Sequence, residues 1–274
     1  MSINRSDFGF VAKIIQESAG IVLEAGKEYL VEARIESIVQ EQGYSGLEAL
    51  LERLRKHPYG PLRDAVVEAL TTNETYFFRD QFPFEALKVH VLPKFSEKAG
   101  RDKVVNIWSA ACSSGQEPYS IAMLLRQHFP LLDGGCARIW ASDISAGMLE
   151  RARLGVYNQT EIARGLPQDY LDRYFRKCPG GWQVDDNLKK MVQFFPINLL
   201  GPWPTLPKME VVFLRNVLIY FNAETKKNIL EGVVSRILRP GGFLFLGAAE
   251  TTLHLSSAFE RASFDKAGCF RFLG

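Results

Sequence analysis

The sequence predicts an open α/β sheet wound on both faces, preceded by a helical domain and finished by a short antiparallel hairpin. Three observations carry this. Apolar residues recur at helical spacing through the first 70 positions, short apolar runs alternate with helical segments from about position 104, and the chain ends in two aromatic pieces parted by Lys266-Ala-Gly268.

The elements follow in order. After Ser6 and Asp7, which suit a cap, Phe10, Val11, Ile14 and Ile15 share a helix face, and Leu30, Val31, Ile35, Ile38 and Val39 repeat the pattern. Ser45-Gly-Leu-Glu48 has the form of a capping box ahead of Leu50, Leu51 and Leu54. Pro61 suits the first turn of a further helix carrying Val66, Val67 and Leu70. These segments form a helical domain over residues 1–70. The run VVNIW at 104–108 begins the alternation, followed by ARIWAS at 137–142, EVVFL at 210–214, a helix over 223–238 and FLFLG at 243–247. Strands separated by helices build a parallel sheet with right-handed crossovers.

Composition narrows the function. A 274-residue chain with 47% hydrophobic and 23% charged residues is an ordinary globular protein, and a net charge of +2 is too mild to mark a nucleic-acid partner. Cys112, Cys136, Cys178 and Cys269 show neither metal-ligand nor disulfide spacing, so they read as buried free thiols. His57, His90, His128 and His254 join no acid or nucleophile motif and read as structural or surface residues. The start, MSINRSDFGF, lacks a leader pattern, and no apolar run approaches the roughly 20 residues that span a bilayer. A cytoplasmic protein without membrane insertion is expected.

The loop IWSAACSSGQEPYS at 107–120 stands at a strand-to-helix turn, where open α/β sheets bind ligands. Its single glycine, Gly115, and its lack of a G-K-[ST] ending exclude a phosphate cradle. Asp143 ends the next strand, where an acid accepts hydrogen bonds from ribose hydroxyls; capping of the helix that opens at Ser145 and Ala146 is an equal reading. Glu117 lies in the first turn of a helix, where the dipole favours any carboxylate, and it suits a cationic ligand as well. S-adenosylmethionine is such a ligand, a sulfonium nucleoside without phosphate. Arg215, Asn216 and Tyr220 of RNVLIYF fall at the carboxyl edge of the sheet, with Val217, Leu218 and Ile219 expected in the core. Asn198 either offers its amide to an adenine edge or makes a turn. The segment LTTNETYFFRD at 70–80 mixes polar groups with Tyr76, Phe77 and Phe78, and Arg79 is suited to forked pairing with a carboxylate or to an interdomain salt bridge.

The stretch LRPGGFLFL resembles the corresponding piece of class I methyltransferases. Together with TTNETYFFR, WSAACSSGQEPYS, SDIS, INL and FLRNVLIYF, in this order, it makes the chain resemble the chemotaxis receptor methyltransferases, the CheR family, along nearly its whole length. The resemblance implies a class I S-adenosylmethionine-dependent methyltransferase fold, Rossmann-like and doubly wound. The helical domain would end at 70, a linker over 71–83 would contribute to the cofactor site, and a methyltransferase domain over 84–274 would carry a small antiparallel β-subdomain at about 171–195. It further implies methyl transfer from S-adenosylmethionine to glutamate side chains in the cytoplasmic helical region of methyl-accepting chemotaxis receptors, with S-adenosylhomocysteine as product.

By position, the family's cofactor contacts fall on Asn73, Thr75, Arg79, Glu117, Asp143, Asn198, Leu199, Arg215 and Asn216, and its residues nearest the transferred methyl on Arg79 and Tyr220. Two departures modify the expectation. RKCPGGWQV at 176–184 follows poorly the glycine pattern with which some members dock a receptor C-terminal peptide, so weak or absent binding of such a peptide is expected. Lys27 and Arg34 alternate with glutamates, so substrate docking shifts to Arg53, Arg55, Lys56 and Arg63, with a solvated mixed-charge face as the competing reading. A methyltransferase acting on nucleic acid or an amine is disfavoured, because Arg215-Asn-Val-Leu218 stands where a [DN]-P-P-[YF] motif is common. A cofactor-binding sensor or scaffold without turnover is the remaining alternative.

Overall fold

The computed structural model describes residues 3–96, 104–133, 135–264 and 266–274. The chain divides into two compact units, one comprising Met1–Thr72 with Tyr220–Thr225, the other Asn73–Ile219 with Lys226–Gly274.

In the first unit, helices α1 (Arg5–Ala19), α2 (Glu28–Glu41), α3 (Leu47–Lys56) and α4 (Pro61–Leu70) bury most of the residues that their spacing selects, among them Val11, Ile15, Val31, Ile35, Leu50, Leu51, Leu54 and Val66, whereas Phe10 and Leu30 are only partly buried. Two expected caps differ. Asn4 rather than Ser6 or Asp7 caps α1, its side chain accepting from the Asp7 amide. Helix α3 starts only after Gly46, which leaves Ser45 one position too early for the capping box. Arg34 donates to the carbonyls of Leu70 and Thr71 at 2.9 and 3.0 Å, satisfying acceptors exposed where α4 ends. Three of the four expected docking cations are engaged within the unit: Arg55 pairs with Asp7 and lies over Phe10, Lys56 pairs with Glu52, and Arg63 donates to Ser18 and to the Pro58 carbonyl.

Among its described residues the second unit has ten strands: β1 (Val105–Ala110), β2 (Ala137–Asp143), β3 (Val156–Tyr157), β4 (Phe175–Cys178), β5 (Gly181–Val184), β6 (Val192–Pro196), β7 (Met209–Phe213), β8 (Leu238–Leu246), β9 (Phe259–Arg261) and β10 (Gly268–Phe272). Among the described residues the main sheet has the order β6-β2-β1-β7-β8-β10-β9. Strands β6, β2, β1, β7 and β8 run parallel, and β10 and β9 add antiparallel pairings at one side. Every residue of β1 is buried, as expected for a strand covered on both faces. The chain moves outward from β1 through β2 to β6 and then returns to β7 on the other side. The carboxyl ends of β1 and β7 therefore flank the switch point, where the connecting loops diverge and leave room for a ligand. Ile219, expected in the core, is 47% exposed because it lies on the short 3₁₀ turn Leu218–Tyr220, which buries only Leu218.

A separate three-stranded antiparallel sheet has the order β3-β5-β4. Within the second unit it packs on Phe77, whose ring meets those of Tyr157 and Phe175 edge-on at 5.0 and 5.5 Å. Gly181 has φ +144, and a Cβ there would lie 2.1 Å from the Tyr157 carbonyl oxygen, so this position accepts no side chain. Gly181→Ala is expected to cost about 2 kcal/mol in urea denaturation, and an unchanged midpoint would show that the β3–β5 pairing yields freely.

Candidate active site

The loop after β1 is tightly wound, with Ala111, Ser113 and Gly115 all in the left-handed region at φ 55, 50 and 94. Such backbone persists only where its surroundings fix it. Here the Ser113 amide donates to Asp143 Oδ2 at 2.8 Å, Ser113 Oγ donates to the Asn73 carbonyl at 2.8 Å, and Tyr157 Oη donates to the Ser114 carbonyl at 2.7 Å. Gly115 is required by its φ and by space, since a Cβ would approach Ala152 Cβ to 2.9 Å. The single glycine of the motif thus serves packing and a turn.

Asp143 ends β2 and is 5% exposed. Its Oδ1 accepts from the Ser145 amide at 2.9 Å, so it does meet the following helix, while its other oxygen orders the β1 loop. Ser145 is the helix cap proper, accepting from the Met148 amide. β6 pairs with β2 up to Asp143 opposite Pro196, and the Ile197 amide donates to the Asp143 carbonyl, so Asn198 and Leu199 begin the loop that leaves this point. Asn198 makes a turn with its own side chain, Oδ1 accepting from the Leu200 amide at 3.0 Å, and the Leu199 carbonyl accepts from Trp203 Nε1.

Glu117 lies in the first turn of the helix Gln116–His128, beside β1. Its Oε1 accepts from Ser109 Oγ at 2.8 Å and its Oε2 from Arg215 Nη1 at 2.9 Å. Arg215, whose side chain is 1% exposed, also donates through Nη2 to Asp80 Oδ2 and to the Arg79 carbonyl, both at 2.8 Å. Its Nε is buried without a hydrogen-bond partner among the described residues. The fork thus ties together β7's exit, the helix after β1 and the segment 79–80, with Nε left over. Asn216 follows at φ 56.

Arg79 donates through Nη1 to the Glu74 carbonyl at 2.8 Å and stacks over the Tyr76 ring at 5.5 Å. Thr75 and Asn73 are half-buried on the same segment. Tyr220 belongs to the first unit, where its carbonyl accepts from the Val22 amide. Of the expected residues, Asn73 and Asp143 are joined through Ser113, Glu117 and the Arg79 carbonyl are joined through Arg215, and Asn198 and Leu199 follow Ile197, whose amide donates to the Asp143 carbonyl. Burial pushes the Cys112 thiol well up, and the Asp143 and Glu117 carboxylates push it further.

Residues 73–267 match the model of the CheR methyltransferase SAM binding domain, and residues 6–71 match that of the CheR methyltransferase all-alpha domain. The chain belongs to the CheR methyltransferase family. It is 45% identical over 265 residues to chemotaxis protein methyltransferase Cher2 of Pseudomonas putida, with 95% of each chain covered. It is 42% identical over 265 residues to chemotaxis protein methyltransferase 1 of Pseudomonas aeruginosa, again over 95% of each. The Vibrio parahaemolyticus chemotaxis protein methyltransferase is 40% identical over 264 residues, 95% of this chain and 94% of that one. The chain is thus an S-adenosylmethionine-dependent methyltransferase, and its donor set fits that cofactor: the Asp143 carboxylate can accept from hydroxyls, the unpartnered Nε of Arg215 can donate to a carboxylate, and the β1 loop carries no lysine for phosphate.

Sequence reasoning missed Asp80, Ser109, Ser113 and Tyr157. Asp80 stands in LTTNETYFFRD, but nothing in its spacing points to Arg215, 135 residues away. Removing one partner of a buried ion pair leaves the other charge unanswered. Arg215→Met is therefore expected to lower stability by about 3 kcal/mol or more in urea denaturation, and a loss below about 1 kcal/mol would show that the cluster is not a structural tie.

Proposed function

We propose that this CheR-family enzyme methylates glutamate side chains in the cytoplasmic helical region of methyl-accepting chemotaxis receptors, forming glutamate methyl esters. Its relatives carry the name chemotaxis protein methyltransferase along nearly the full chain. The observation that carries the choice of acceptor is that the site's carboxylates are already committed, Glu117 to Arg215 and Ser109, Asp143 to two backbone amides. Neither is poised to take a proton from an acceptor. A glutamate acceptor needs no such base, because with a pKa of about 4.3 it is ionised at neutral pH. Cys112, held protonated by burial, offers no competing nucleophile.

When bound, S-adenosylmethionine supplies a methyl group on a positively charged sulfur, and transfer to a carboxylate oxygen leaves S-adenosylhomocysteine. Asp143 would hold the ribose hydroxyls, Asn198 and Leu199 the adenine, and Asn73, Thr75, Glu117, Arg215 and Asn216 the amino-acid portion and its surroundings. The unpartnered Nε of Arg215 suits the carboxylate of that portion. Arg79, steadied by the Glu74 carbonyl and the Tyr76 ring, and Tyr220 would orient the incoming glutamate. Alignment and exclusion of water account for most of the acceleration in this scheme. The turn between β4 and β5 is short, Cys178 pairing with Gly181, which supports the expectation of weak binding to a receptor C-terminal peptide.

Radiolabelled methyl transfer to receptor-containing membranes tests the scheme. The native chain should incorporate label that mild base releases as methanol, and Arg79→Ala should lower incorporation at least about 100-fold. Base-stable label would point to another acceptor atom, and equal labelling by both chains would remove Arg79 from the mechanism.

A further inference from the structure

We propose that Glu250 is a positioning residue for the cofactor site, acting through Asn216; this rests on the assignment of Asn216 to the cofactor under Proposed function. Glu250 lies in the loop after β8, and its amide donates to the Gly247 carbonyl at 3.0 Å, a turn that sends its side chain back toward the sheet. There one carboxylate serves three backbone amides. Oε2 accepts from the amides of Asn216 and Gly247 at 2.8 and 2.6 Å, and Oε1 accepts from the Ile219 amide at 3.2 Å. The donors come from the loops that leave β7 and β8, neighbouring strands paired at Phe213 and Phe245.

Asn216 needs such support. Its φ of 56 places a non-glycine residue in the left-handed region, which asparagine tolerates better than most but which still requires fixing by its surroundings. Glu250 fixes both ends of the turn, Asn216 through one oxygen and Ile219 through the other. Gly247 fits the same contact from the opposite side: a Cβ there would lie 2.7 Å from Asn216 Nδ2 and 2.8 Å from Glu250 Oε2. The end of β8 is therefore pressed against the Asn216 side chain as well as its backbone. An ionised carboxylate suits this position because both of its oxygens accept. Glutamine would turn an NH₂ toward one set of donors.

A double-mutant cycle on S-adenosylhomocysteine affinity, measured by calorimetry with the full chain, tests the proposal. Glu250→Gln should weaken binding about tenfold. Asn216→Gly, which keeps the left-handed backbone and removes the side chain, should weaken it comparably. The double variant should bind no worse than Asn216→Gly alone, because both changes remove the same contribution. Native affinity in Glu250→Gln, or losses that add in full, would overturn the proposal. Native affinity in Asn216→Gly would overturn it too, by removing Asn216 from the cofactor site, whereas the wider functional reading fails only if the unaltered chain does not bind the nucleoside. Should Glu250→Gln not fold, Gly247→Ala probes the same contact: weakened binding with a native-like melting temperature supports the proposal, and native affinity contradicts it.

Discussion

The guanidinium of Arg215 sits almost entirely out of water, with Glu117 on one side, Asp80 and the Arg79 carbonyl on another, and the Phe84 ring 5.6 Å away. A charge in that position is tolerable only while its partners stay in place, because desolvation costs several kcal/mol per ion and Coulomb attraction offsets it only at close range. That requirement constrains three separate stretches of chain at once: the exit of β7, the first turn of the helix after β1 and the segment around residue 80. A planar fork accommodates three acceptors in fixed directions, which a single ammonium does not. The site is therefore organised by the cost of leaving this group unpaired.

The same loops hold backbone that would not persist by itself. Phe78, Asp80 and Gln81 are left-handed at φ 51, 68 and 48, as are Ala111, Ser113 and Asn216. Each of these stretches has an external tie: the Phe78 amide donates to Ser120 Oγ, Asp80 is held by Arg215, Ser113 by Asp143 and Asn216 by Glu250. Strained loops on a sheet whose central strand β1 is wholly buried combine a rigid base with loop geometry dictated by specific side chains. Preorganisation of this kind suits the proposed transfer to a carboxylate, whose remaining demand is alignment.

Much of this was legible in the sequence, for physical reasons. The α/β alternation is a periodicity, and apart from the partly buried Phe10 and Leu30 the helical faces of residues 5–70 fell where apolar spacing placed them. Asp143 and Glu117 stood out because strand ends and first helical turns are few and their chemistry is restricted. What the sequence hid were pairings set by topology. Glu117 and Arg215 are 98 residues apart, and Glu250 reads as an ordinary acid in a polar loop until β7 and β8 are laid side by side. Local signals misled where two readings differed by one residue, as at the α1 and α3 caps, and where an apolar residue, Ile219, faces solvent on a short turn. The two readings open for Asp143 remain compatible, since a carboxylate that accepts from Ser145 and Ser113 still has lone pairs for ribose hydroxyls.

The central claim is that the directional fork of Arg215, rather than its charge alone, assembles a site for a sulfonium nucleoside. Calorimetric titration of Arg215→Lys with S-adenosylhomocysteine examines this most directly, because lysine keeps the positive charge but cannot reach Glu117, Asp80 and the Arg79 carbonyl together. The account requires binding at least about tenfold weaker than in the unaltered chain. Unchanged affinity would contradict it.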